Sequence, residues 1–134
     1  MGVPAEAILR QRVQELSKAL RAKDLDGVMS FYAPDIVSFD LDPPLRYAGI
    51  DDKRRAWQEF FAHPGPVTYE VCELDVMVEG DLALVHSVNH VRGALWVRWT
   101  ACFRRVAGLW LIVHDHVSVP ADLARGQAVL DLQP

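Results

Sequence analysis

Asp40, His114 and His116 are the residues whose types and placement point most directly to proton transfer. Asp40 lies in the segment Ser38-Phe39-Asp40-Leu41-Asp42-Pro43-Pro44, where the apolar strand ends. A carboxylate at the end of an otherwise apolar strand is partly desolvated, which suits it to act as a general base. The competing reading is a turn carboxylate that accepts backbone bonds beside the two prolines. His114 and His116 have the i, i+2 spacing of one strand face. That spacing also suits a zinc ion, but a zinc site needs at least a third protein ligand, which His86, His90 or Asp40 would have to supply. Pocket-lining histidines without metal are the preferred reading, and neither a metal nor another cofactor is expected. Arg98, Thr100 and Asn89 add groups that could polarise or orient a carbonyl or hydroxyl, and Trp57 adds an apolar wall. The basic run Lys53-Arg54-Arg55 is read as the solvated face of a helix.

The elements that must position these residues follow from periodicity. Leu9, Val13, Leu16 and Leu20 fall on one stripe and predict a helix over 5–22. Asp24 caps a second, short helix that Pro34 closes, and a strand over 35–41 runs into Pro43-Pro44. A third helix over 51–62 is expected to bury Ala56, Trp57, Phe60 and Phe61 before His63-Pro64-Gly65-Pro66 ends it. From Val67 the period changes to two. Segments 67–78, 82–91, 95–105 and 109–119, rich in Val, Trp, Thr and Phe, predict four strands joined by hairpins. Residues 120–134 read as a loop with a short helical turn. Helices segregated on one face of a twisted antiparallel sheet make an α+β domain whose curled sheet encloses a pocket.

The last hairpin decides which side chains line that pocket. A three-residue loop over Val106-Ala107-Gly108 pairs Thr100 with His114 and Arg98 with His116. One face then carries Arg98, Thr100, His114, His116 and Ser118, which we expect to point inward. The other carries Val97, Trp99, Ala101, Phe103, Leu111, Val113 and Val117, with Asp115 its one charge, and is expected to dimerise. A two-residue turn at Arg92-Gly93 would set Ser87 and Asn89 beside Arg98 and Thr100, and a three-residue turn would substitute His86 and His90.

The 134 residues, with 51% hydrophobic and 24% charged side chains, fit one packed domain spanning 1–134. The net charge of -4 repels a phosphate backbone, which argues against nucleic acid as a partner. No apolar run approaches the roughly 18 residues of a membrane span. Cys72 and Cys102 each sit in an apolar stretch, as expected of reduced thiols in a cytoplasmic protein.

The element order resembles the cone-shaped NTF2-like fold shared by nuclear transport factor 2, ketosteroid isomerase and the SnoaL-like polyketide cyclases. Residues 22–27, Ala-Lys-Asp-Leu-Asp-Gly, followed by Phe31-Tyr32-Ala33-Pro34-Asp35, are similar to the isomerase-like branch. Trp110-Leu111-Ile112-Val113-His114-Asp115-His116-Val117-Ser118-Val119-Pro120 is similar to the last strand of SnoaL-like isomerase homologues. The resemblance implies a strongly curved antiparallel sheet wrapped around three helices from the N-terminal half. It places the isomerase's general base on Asp40. It also places Leu16, and Thr100 or Ala101, where the isomerase has its two oxyanion donors, so steroid isomerisation itself is not expected. What it implies is a pocket for a small apolar or carbonyl-containing molecule. Isomerase, cyclase or dehydratase chemistry with Asp40, His114 and His116 is one outcome, and a non-catalytic binding or homodimeric module is the other.

Overall fold

The computed structural model describes residues 2–134. Helix α1 (Ala5–Arg21) buries Leu9, Val13, Leu16 and Leu20, the stripe its periodicity predicts. Three arginines on its flanks reach across the sheet to backbone carbonyls: Arg10 to Leu74, Arg12 to Trp110 and Arg21 to Tyr69. Helix α2 (Leu25–Met29) is capped by Asp24, whose carboxylate accepts from the Gly27 N–H at 3.0 Å. It ends well before Pro34, because strand β1 (Tyr32–Phe39) already begins at Tyr32. After β2 (Tyr47–Ala48), helix α3 spans Ile50–Ala62.

Strands β3 (Glu70–Glu79), β4 (Leu82–Arg92), β5 (Leu95–Val106) and β6 (Leu109–Ser118) form the expected antiparallel meander. The six-stranded sheet has the order β2-β1-β6-β5-β4-β3, with β1 running parallel to β6. Residues 120–134 contain no helical turn. They carry a two-stranded hairpin, β7 (Ala121–Asp122) and β8 (Gln127–Ala128), tied down by Val129 N–H to Pro120 C=O.

Two features of the last hairpin correct the expected register. Its turn has two residues, Ala107 and Gly108, both with positive φ, which suits the right-handed twist of a tight hairpin. Val106 therefore pairs with Leu109, and a bulge beyond Cys102 moves the pairing one residue further, so that Thr100 faces His116 and Arg98 faces Ser118. The two displacements sum to two positions. The sets of residues sharing a face are therefore nearly those expected, with Trp110 and Ile112 joining the apolar face in place of Leu111 and Val113.

The sides are reversed. Val97, Trp99, Ala101, Phe103 and Asp115 are buried under the helices, so this face is the concave core and not a free dimer surface. Arg98, Thr100, His114 and His116 lie on the convex side. The helices win the apolar face because burial of Trp99, Phe103, Trp110 and Ile112 gains roughly 1.5–3 kcal/mol per large side chain. Polar groups on that face would have needed partners.

Candidate functional site

A cavity of about 470 Å³ opens between α1, α3 and the concave sheet. Its walls are largely aromatic and aliphatic: Tyr32, Trp57, Phe60, Tyr69, Trp99 and Leu16 among them. The C-terminal segment closes one side through Ala128 and Leu130.

Set into this wall is a charged network. Lys53 is 1% exposed, although it opens the basic run Lys53-Arg54-Arg55. The two arginines do lie at the surface, paired with Asp26 and Asp52. Lys53 instead shares the inner stripe of α3 with Ile50, Trp57 and Phe61, which pack against the core. Its ammonium donates to Ser38 Oγ at 2.9 Å and to Asp40 Oδ2 at 3.2 Å, and it lies 3.2 Å from Asp115 Oδ2. Ser38 in turn donates to Asp115 Oδ1. Burial by itself disfavours the charged form of Lys53. The neighbouring charges, with Asp115 foremost, outweigh it and hold the ammonium well above the usual lysine range. Lys53 also lies 5.4 Å from the centre of the Tyr32 ring and 5.6 Å from that of Trp57, within reach of a cation–π attraction.

Asp40 bridges this network and the cavity. It lines the cavity, its side chain is 25% exposed, and its second oxygen accepts the Leu41 N–H at 2.8 Å. A place in the cavity wall and a turn bond to the backbone thus coexist in one residue.

Two buried tyrosines complete the wall. Tyr32 accepts from Trp57 Nε1 at 3.1 Å, and Tyr69 accepts from Asn89 Nδ2 at 2.9 Å. Asn89 is itself fixed by Ser87 Oγ at 2.7 Å. Burial pushes the Tyr69 hydroxyl up to about 12, and burial likewise raises that of Tyr32. Both stay protonated at neutral pH, and neither hydroxyl donates to another group among the described residues.

The residues singled out from sequence divide accordingly. Asp40 and Trp57 line the cavity, and Asn89 stands behind it, holding Tyr69. His114, His116, Arg98 and Thr100 are not in the cavity wall. His114 Nδ1 is bound to the Val37 carbonyl at 2.7 Å, and both imidazoles stand edge-on to Phe39. Arg98 donates to Ser118 Oγ, and Thr100 lies between His86 and His116 across the strands. Ser87 and Asn89 pair with Trp99 and Val97 rather than flanking Arg98. Among the described residues no three His, Cys, Asp or Glu side chains converge as a metal ion would require. Leu16 lines the cavity without a donor, as the resemblance implies.

Lys53, Asp115, Tyr32 and Tyr69 are functional candidates that the sequence reading passed over. A signal for the first two existed: a lysine at i−4 from Trp57 on an apolar helix stripe, and the one acid on an apolar strand face. Charges that both fall on buried faces must find each other.

Comparison with known proteins agrees with this architecture. The family model of the SnoaL-like domain matches residues 9–122. An NTF2-like protein of unknown function from Pseudomonas putida KT2440 is 33% identical, with 100% of this chain and 99% of that one covered and a TM-score of 0.93. Two more distant structures share the fold alone. One is a candidate dehydratase of the NTF2-like family from Streptomyces avermitilis, at 19% identity, 82% and 91% coverage and TM-score 0.72. The other is a candidate ketosteroid isomerase from Parabacteroides distasonis, at 19% identity, 83% and 87% coverage and TM-score 0.68. No curated protein matches the chain. With the family model spanning most of its length and a near-full-length relative 33% identical, the chain belongs to the SnoaL-like domain family of the NTF2-like superfamily.

Proposed function

We propose that the cavity binds a small, mostly apolar carbonyl compound and that Asp40 removes a proton from the carbon beside the carbonyl. The C–H bond breaks, its electron pair forms the enolate double bond, and the carbonyl π pair moves to oxygen. Asp40 takes the proton, while the Tyr32 and Tyr69 hydroxyls donate to the developing enolate oxygen. Returning the proton to another carbon gives isomerisation. Delivering it to a departing β-hydroxyl gives dehydration.

The observation that carries this reading is one wall holding an accessible carboxylate, Asp40, and two tyrosine hydroxyls with protons to give. The histidines drop out of the proposed chemistry because they stand behind the sheet. A binding module without turnover is the second reading, favoured by the mutual satisfaction of Lys53, Ser38 and Asp115. Under either reading, a second copy would meet the convex face, where Phe39, Met77 and Leu84 are exposed.

Hydrogen–deuterium exchange at the α-carbon of 2-tetralone, followed by NMR in D2O, separates the two. Proton abstraction predicts acceleration by the wild-type protein and a loss of about 100-fold or more in Asp40→Asn. Equal rates in the two proteins, with the ketone bound, would favour the module.

A further inference from the structure

We infer that Lys53 and Asp115 form a buried counter-charge unit that positions Asp40 and sets its basicity, with neither residue touching the substrate. This rests on the reading of Asp40 as the base.

The ammonium has three N–H bonds, and the structure accounts for all of them: Ser38 Oγ, Asp40 Oδ2 and the Asp115 carboxylate. No N–H remains for a substrate oxygen. A lysine whose proton is held this firmly offers no lone pair for attack on a carbonyl. The same geometry suits Lys53 to holding another group in place. It is anchored from α3, clamped by β6 through Asp115 and by β1 through Ser38, and sandwiched near the Tyr32 and Trp57 rings. Lys53 and Asp115 also border the cavity, but their side chains are 1% and 2% exposed, and of the side chains the ammonium bonds to, Asp40 is the one open to it, at 25%.

The charges explain why two acids are needed. A lysine paired with Asp40 alone would place its whole charge on that carboxylate and make it a weak base. Asp115, 1% exposed and held by Ser38, draws off part of that charge. Asp40 shares the ammonium with it, at 3.2 Å. The other ionisable groups lining the same cavity are Tyr32 on β1, Asp42 in the following loop, Tyr47 on β2, Glu59 on α3, His63 just after it, Tyr69 ahead of β3 and Arg92 at the end of β4. His116 on β6 and Arg46 in the loop before β2 border the shallow hollow on the far side of Asp40. Lys53 is the one cation among them in contact with the Asp40 carboxylate.

The test is the pH profile of 2-tetralone exchange in Asp115→Asn and in the double variant Lys53→Met/Asp115→Asn, which removes both buried charges together and so keeps the fold in reach. In Asp115→Asn the full lysine charge falls on Asp40. The acid limb of the profile should move down by about one pH unit, with a lower plateau. In the double variant Asp40 has no cation, and the limb should move up by about as much. Opposite movements support the inference, because a merely structural pair would lower the amount of folded protein without moving the limb. Profiles coinciding with the wild type in both folded variants would overturn it. If wild type and Asp40→Asn exchange at the same rate, the base reading falls, and this inference falls with it.

Discussion

The two faces of the sheet are built from alternate residues of the same strands, yet they differ in kind. On the concave side, Val76, Val85, Ala101, Asp115 and Ser38 form a continuous buried row across β3, β4, β5, β6 and β1. One residue along each strand, Asp75, His86, Thr100, His116 and Phe39 form the matching row outside. The outer row holds most of the residue types associated with catalysis. The inner row holds one acid, and that acid belongs to the network that reaches the cavity. The chemical repertoire of a residue thus says less about its role than the dielectric in which it works. Asp115 is constrained because burial forces it to find Lys53, whereas His116 has water.

This contrast can be broken at several points. The largest effect is expected from Lys53→Met, which leaves the buried Asp115 carboxylate without its cation and should cost about 3–5 kcal/mol in urea unfolding. Adding Asp115→Asn should restore most of that. Adjacent positions on β5 give the next contrast. Trp99→Ala should cost about 3–5 kcal/mol, and Thr100→Ala less than about 0.5 kcal/mol.

Alkali provides a third. Burial pushes the Tyr69 hydroxyl up to about 12, above the ordinary tyrosine value near 10, so the folded state holds its proton longer. The resulting stabilisation is whole below pH 10 and fades as pH rises to about 12. It amounts to roughly 2–3 kcal/mol. Tyr69→Phe should flatten that fall, as read by denaturant midpoints across the range. The smallest effect is expected on the convex side, where His116→Ala should leave stability within about 0.5 kcal/mol and 2-tetralone exchange unchanged. A loss of exchange there would return the chemistry to the outer face.

Much of the fold is legible in the chain. The stripe of α1, the period-two strands and the place of the last turn, though not its length, are local signals, and local physics answers them. Beyond the bulge alternation also groups the two faces correctly, because the two displacements together preserve parity there; between turn and bulge the single displacement exchanges Leu111 and Val113 for Trp110 and Ile112. What alternation cannot say is which face receives the helices. That is decided by long-range packing, such as Arg12 of α1 reaching the Trp110 carbonyl. Lys53 is hidden by its neighbours Arg54 and Arg55, which make it look like part of a solvated run. Tyr32 and Tyr69 are hidden for another reason. Tyrosines in aromatic-rich segments read as core, and their unused hydroxyl protons become visible only once Trp57 and Asn89 are seen to donate to them.

The central claim is that ligands enter the concave side. The indole N–H signals of the four tryptophans report on it directly. Trp57 and Trp99 line the cavity, whereas Trp96 stacks on His90 outside. Titration with 2-naphthol, a planar phenol able to accept from Tyr32 and Tyr69, should move the Trp57 and Trp99 signals and leave Trp96 in place. Movement of Trp96 with Trp57 and Trp99 unchanged would put the binding surface on the opposite face and contradict the account.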